Sequence, residues 1–279
     1  MPVLRAAVTH SMRGPVRLEI SVTGHAGHVF ASRETAGASV PASGPAVVLI
    51  HGIGASHRYL RRLHGLLAGS VDTYSIDLPG FGATPRPANT LSIAAHARYI
   101  LGAMEQLGVP EFVLVGHSMG TQFATEAALQ EPGRIANLVL MGPVVDPKRG
   151  TVAQQALALG RDCLFYESPS SNALVFTDYL RCGPVWYLKT LRLMMEYPME
   201  QKITGVSAPV LVVRGANDPV ADLDWSRRLA GLARRGQLQQ VQGTGHVVQH
   251  NRALEVRDGI LAFAGLGAAA GEPLPGNPV

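Results

Sequence analysis

Three residues far apart in the chain have the types and local settings that nucleophilic acyl chemistry requires. Ser118 stands in Gly116-His117-Ser118-Met119-Gly120, Asp218 in Asn217-Asp218-Pro219 and His246 in Gly243-Thr244-Gly245-His246. A serine hydroxyl is a poor nucleophile at neutral pH, so it needs a base to take its proton. The base in turn needs a carboxylate that fixes its tautomer and stabilises its charged form. The G-x-S-x-G pattern has chemical content when a strand precedes it and a helix follows. The sharp turn then lifts the hydroxyl above the sheet, a Cβ at either glycine would strike a neighbouring element, and the helix start offers N–H groups and a positive dipole end to an oxyanion. His250 is the rival base, without the Gly-x-Gly-His setting, and Asp146 is the rival acid.

The elements that must position these residues are legible from apolar patterning. Residues 46–50, 112–115 and 208–213 are unbroken apolar runs, as expected of strands covered by helices on both faces. Residues 71–76, 136–141 and 237–241 read as further strands, 91–107 as a crossover helix with Asn89 or Thr90 as its N-cap, and 121–129 as the helix behind Ser118. Each chemical residue thus follows a strand. The β/α rhythm runs from about residue 17 to 142, stops, and resumes at 208. Between 144 and 204 there is no strand pattern, but helical spacing recurs, as in Leu188, Leu191 and Met195, and seven of the chain's sixteen aromatics fall there. The expected organisation is therefore a core built from 1–143 and 205–265, a helical lid over 144–204, and a Gly/Ala/Pro-rich tail over 266–279 that is expected to be disordered.

Composition narrows the function classes. The 279 residues are 47% hydrophobic and 16% charged, with a net charge of +4 dispersed along the chain, so nucleic acid is not an expected partner. No stretch approaches the roughly 18 apolar residues of a spanning helix, and the opening Met1 to His10 lacks the pattern of a leader; no membrane partner and a cytoplasmic location are expected. Cys163 and Cys182 lack CxxC spacing, which fits a reducing compartment, and no tight His/Asp/Glu/Cys cluster suggests a metal. Gly52-Ile53-Gly54 after a buried strand, with Asp77 closing the next, imitates a dinucleotide-binding fingerprint. The position of its third glycine holds His57, and that reading would leave Ser118, Asp218 and His246 as coincidences.

With the elbow go His51-Gly52-Ile53-Gly54 and Asp77-Leu78-Pro79-Gly80-Phe81-Gly82, which match an oxyanion-loop H-G motif and a D-x-P-G-x-G loop. Over residues 17–265 the chain resembles the α/β-hydrolase superfamily. The resemblance implies a mainly parallel, doubly wound sheet with a helical lid inserted after the sixth strand. It implies Ser118, Asp218 and His246 as the catalytic triad, with the backbone N–H groups of Met119 and Ile53 as oxyanion donors. Some family members place the acid after the sixth strand, which is where Asp146 stands. Serine at the elbow points away from the dehalogenases and epoxide hydrolases of this fold, whose nucleophile is aspartate. The expected function is hydrolysis of a small carboxylic ester or related acyl compound through an acyl-enzyme, without a cofactor. Carbon–carbon hydrolysis of a diketone uses the same triad, and a ligand receptor on a hydrolase fold is the reading from a different class. Trp186, Tyr187, Met194 and Met195, with His117 and Val247, are the expected pocket wall, although any one of these rings could instead pack the lid onto the sheet.

Overall fold

The apolar runs become strands of one sheet, as their continuous burial requires. The computed structural model describes residues 14–32 and 44–266; the opening residues 1–13 and the tail beyond 266 lie outside the described residues. In chain order the first half comprises β1 (Val16–Val22), β2 (His25–Ser32), β3 (Ala46–Ile50), α1 (Arg61–Leu67), β4 (Thr73–Asp77), α2 (Ile93–Gln106), β5 (Phe112–His117), α3 (Gly120–Gln130) and β6 (Ile135–Met141). Four helices follow: α4 (Val152–Phe165), α5 (Pro169–Cys182), α6 (Pro184–Glu196) and α7 (Met199–Ile203). The chain then adds β7 (Val210–Gly215), α8 (Leu223–Leu232), β8 (Gly236–Val241), α9 (Val248–Asn251) and α10 (Ala253–Ala264).

The strands lie in the order β1-β2-β4-β3-β5-β6-β7-β8. From β4 to β8 every pair is parallel, while β2 runs antiparallel to both β1 and β4. Successive strand residues serve opposite faces. Val48, Ile50, Leu114 and Val212 join the core beneath α2, α3 and α8; Val47, Leu49, Val113 and Val213 join a second core beneath α1 and α10. The β1–β2 hairpin, turning at Thr23-Gly24 with φ of 49° and 79°, is not among the strands read from the sequence. The cap of α2 also differs from expectation. Ser92, not Asn89 or Thr90, holds the extended N-cap backbone and accepts the Ala95 N–H. No helix among the described residues is long and apolar enough to cross a membrane.

The turn from β5 into α3 is the tightest crowding near the candidate nucleophile. A Cβ on Gly116 would lie 2.3 Å from the Gly120 carbonyl oxygen, and one on Gly120 would lie 2.6 Å from that of Ile50. Ser118 between them adopts φ 55°, the left-handed region that a non-glycine residue enters only when its surroundings fix it there. Four helices occupy the interval where no strand was expected, the first three begun by an identifiable signal. Thr151 and Gln154 form a reciprocal capping box on α4, Ser168 caps α5 ahead of Pro169, and Pro184 starts α6 after Gly183.

Because the atom facing position 116 is backbone, Gly116→Ala cannot be relieved by a rotamer change. We expect a loss of about 1–3 kcal/mol, read as a fall in Tm of a few degrees by circular dichroism; a wild-type Tm would show that the elbow has slack.

Candidate active site

Three strand ends deliver the chemical residues to one wall. Ser118 follows β5, with its N–H donating to Met141 O at 2.9 Å and its carbonyl receiving Thr121 N–H at 3.0 Å. Asp218 lies in the loop after β7, where its Oδ1 accepts the N–H groups of Val220 and Ala221 at 2.7 and 3.0 Å. That leaves Oδ2 for His246, whose Nδ1 donates to it at 2.9 Å. The pair is closed off from water, with 4% of the histidine side chain and 0% of the aspartate exposed. Asp146, the rival acid, instead caps the short turn after it by accepting the Lys148 N–H. His250, the rival base, contacts Ser170 Oγ.

Electrostatics follows from that geometry. Burial alone would lower the His246 pKa, but the charge and hydrogen bond of Asp218 outweigh it and raise the value to about 9. Burial would raise Asp218, yet His246 and the two loop amides hold it below the ordinary aspartate range. Arg214, buried at the end of β7, donates to the carbonyl oxygens of Ala216, Asp218 and Ala221 and so braces the acid loop.

A second chain of hydrogen bonds links the other two loops. Gly52 N–H donates to Tyr59 Oη at 2.7 Å, Tyr59 Oη bonds His117 Nδ1 at 2.8 Å, and His117 Nε2 bonds the His246 carbonyl at 2.9 Å. With Tyr59 as donor to Nδ1, the imidazole of His117 is neutral with its proton on Nε2. Burial, reinforced by nearby His246, pushes its pKa down to about 3, which keeps it so. Gly52 also packs on the nucleophile, since a Cβ there would lie 2.9 Å from Ser118 Cβ. Ile53, the next residue, lines the same cavity as Ser118, and Met119 is the N-cap residue of α3.

A cavity of about 350 Å³ opens beside these groups. Ser118, His246, Ile53, His117, Tyr187, Met194 and Val247 all line it. Trp186 and Met195 do not. Tyr187, Leu191 and Met194 fall at i, i+4 and i+7 of α6 and so share one face, whereas Trp186 and Met195 are each one residue off that stripe. The Trp186 ring lies on Gly80, where a Cβ would come within 2.4 Å of it, and Met195 packs against the core. Gly54, at φ 68°, admits Tyr179 and Tyr187 over the Gly52–Gly54 loop; a Cβ there would meet the Tyr179 ring at 2.8 Å.

Two carboxyl groups at the end of α4 were not singled out from the sequence. Asp162 Oδ1 accepts the His246 N–H at 2.9 Å, and Glu167 Oε1 accepts that of Val247 at 2.7 Å. Burial pushes the Asp162 pKa up to about 8, with Glu167 and Asp218 adding to the shift against the pull of His246. Their spacing carries no motif, because the contact is made only when α4 packs on the histidine loop.

The fingerprint-like reading loses its acidic residue. Asp77 is buried and takes both the N–H and Nδ1 of His57. His51 bridges Gly52 O and Leu78 N, a loop tie. No group of three or more His, Cys, Asp or Glu among the described residues could hold a metal ion.

Comparison with known proteins agrees with this architecture. A family model described as alpha/beta hydrolase fold matches residues 45–159, and one described as TAP-like protein matches residues 190–258. YugF, a Bacillus subtilis hydrolase, is 35% identical over 96 residues, covering 34% of this chain and 35% of that protein. The chain spans about a third of the length of the curated relatives it matches at such identity. The solved enol-lactonase of Burkholderia xenovorans superposes with a TM-score of 0.73 at 19% identity, covering 88% of this chain and 99% of that one. A meta-cleavage product hydrolase of Pseudomonas fluorescens gives 0.71 at 23% identity, covering 88% and 96%. At these identities the structural likeness is one of fold.

Tyr59→Phe removes the acceptor for Gly52 N–H and the donor to His117, both of them buried groups. Leaving those groups unpaired costs about 1–3 kcal/mol, so thermal denaturation should begin several degrees earlier than in wild type. An unchanged melting curve would mean that the hydroxyl is not what joins the loops.

Proposed function

The chain belongs to the α/β-hydrolase superfamily, and from that premise we propose that it is a serine hydrolase cleaving a carboxylic ester or related acyl compound through an acyl-enzyme. The observation that carries the reading is the buried His246–Asp218 pair, 2.9 Å apart, in the wall of the cavity that Ser118 lines from its left-handed elbow. His246 Nε2 takes the Ser118 hydroxyl proton as Oγ attacks the acyl carbon and the carbonyl electron pair moves onto oxygen. The amides of Met119 and Ile53 donate to that oxyanion, aided by the N-terminus of α3. As the tetrahedral centre collapses, the alcohol oxygen leaves with the proton from His246 and the acyl group remains on Ser118. Water, deprotonated by the same histidine, attacks the acyl carbon; the second collapse releases the acid and returns the proton to Ser118 Oγ. Asp218 keeps the proton on Nδ1 and balances the imidazolium in both halves.

The helices α4 to α6 serve in this reading as the lid. Their inward residues Leu159, Val175, Leu191 and Met194 make the cavity mostly apolar, which suits an acyl chain or ring. A lactone, the substrate class in the name of the Burkholderia structure, and a diketone would undergo the same first attack on a carbonyl carbon.

Ser118→Ala should leave the fold intact, since a methyl fits the same elbow, and lower kcat on p-nitrophenyl esters by about 10⁴-fold or more. Labelling by a fluorophosphonate should vanish with it. Failure of the wild type to form an adduct at Ser118 would sink the serine-hydrolase reading in favour of a silent receptor; preference for a ring-fission diketone over every ester would move it to carbon–carbon cleavage.

The pH profile tests the base and its acid together. Only neutral His246 can accept the serine proton, so kcat/KM should rise with pH through a limb set by its pKa. Asp218 raises that pKa to about 9, which puts the limb above the ordinary histidine range. In Asp218→Asn the charge is gone and only the weaker pull of Asp162 and Glu167 still opposes burial, so the limb should move to lower pH while kcat falls by about 10⁴-fold. Asp146→Asn should leave both unchanged. A limb that stays in place in Asp218→Asn, or moves in Asp146→Asn, would reassign the acid.

A further inference from the structure

Helices α4, α5 and α6 are apolar on the side away from the cavity as well as on the side that lines it. Among the described residues, eight of the eleven exposed large hydrophobic side chains lie on these three helices. On α4, Leu157, Leu164 and Phe165 fall at i, i+7 and i+8, with Leu164 78% and Phe165 72% exposed. Phe176 and Leu180 repeat the pattern on α5 at i and i+4, and Val185 and Leu188 on α6 at i and i+3. Scattered single hydrophobics on a surface need no explanation; three successive helices with outward apolar stripes do.

The charges set among these stripes decide what fits them. Arg161, Arg181, Lys189 and Arg192 are exposed on the same three helices, each within one turn of an exposed apolar residue, and the exposed carboxylate there is Glu196, paired with Arg192 at 2.8 Å. The remaining acids turn inward: Asp162 and Asp178 are buried, Asp178 pairing with Arg58 at 2.7 Å and Arg181 at 3.7 Å, and Glu167 holds the histidine loop, which leaves Arg161 and Lys189 as the cations of the face without such a pair among the described residues. Aromatic and leucine side chains flanked by arginine and lysine are the composition of a helix that lies in the plane of a lipid interface. A second copy of this chain seated on the face would bring its own cations against these. The cavity also reaches this surface, since Val152, Ala156 and Gly160, at i, i+4 and i+8 of α4, are exposed and line it.

We propose that the outer face of α4, α5 and α6 docks the protein on an anionic lipid surface, with the mouth of the cavity along α4 at the contact. The expectation of no membrane partner rested on the lack of a spanning segment, and such binding needs none, so the proposal departs from that expectation. The contact is independent of which bond Ser118 acts on.

The test is co-sedimentation of the full chain with vesicles of phosphatidylcholine alone and of phosphatidylcholine with phosphatidylglycerol. We expect partitioning into the anionic vesicles about tenfold or more above the neutral ones, weakening as salt rises. Combined Leu164→Ser, Phe165→Ser and Phe176→Ser should reduce it about tenfold with Tm unchanged, since these side chains are already in water. Arg161→Gln and Lys189→Gln should each cost about fivefold on anionic vesicles only. No binding of the wild type to anionic vesicles, or equal binding by the triple variant, would overturn the proposal. So would a stable dimer in sedimentation velocity that the triple variant dissociates, because the face would then belong to a second copy.

Discussion

A carboxylate with no exposed area and an imidazole almost as deeply buried stand 2.9 Å apart at the end of the sheet. Taking both out of water costs several kcal/mol per ion, more than their attraction returns unless the remaining lone pairs and protons are also satisfied. Most of the loop architecture answers that requirement. The Asp218 carboxylate receives two backbone N–H groups on Oδ1, Arg214 ties down the carbonyls around it, and Gly142 leaves room for the ring, since a Cβ there would lie 2.8 Å from His246 Cε1. The parallel sheet contributes by ending β5, β7 and β8 at one edge, the place where an open α/β sheet leaves a crevice.

The segment between β6 and β7 is bound into this arrangement as well as lying over it. Asp162 and Glu167 accept the backbone N–H groups of His246 and Val247, so the histidine loop is held partly by α4 and the residues just after it. Glu167 Oε2 in turn receives Asn251 Nδ2 and Ser171 Oγ, which extends the tie to α9 and α5. On the opposite side, the Gly52–Tyr59–His117 chain joins the loop after β3 to the elbow and to the His246 carbonyl. A change in the position of α4 would therefore be felt at His246 itself.

Helical periodicity explains how one segment can do two jobs. On α6 the residues at 187, 191 and 194 face the cavity, while 185 and 188 face out. On α4 the cavity side and the outward stripe are both apolar, and Asp162 between them is drawn inward by the amide of His246. A helix apolar on opposite sides has a second surface to satisfy beyond its own core.

The strands β3, β5 and β7 were legible from the runs at 46–50, 112–115 and 208–213, because burial on both faces demands unbroken apolar runs, and a run of that kind needs no tertiary information to be seen. Ser118 was legible for a similar reason: the glycines at 116 and 120 are dictated by backbone contacts 2.3 and 2.6 Å from where a Cβ would sit, and only glycine fits them. The hairpin at Thr23-Gly24 went unread although β1 alternates strictly, with Val16, Leu18, Ile20 and Val22 apolar; its partner β2, from His25 to Ser32, carries no such alternation. Asp218 and its rival Asp146 both follow a strand, and only the packed fold shows that Asp218 is the carboxylate paired with His246. The same holds for Trp186 and Tyr187, adjacent in the chain and about 100° apart on α6, one packed on Gly80 and the other lining the cavity. Asp162, Glu167 and Tyr59 act through backbone groups of distant loops. Residue type and spacing thus set the strands and the elbow, because those depend on local sterics and periodicity; partners that meet only across the packed fold were decided by the tertiary structure.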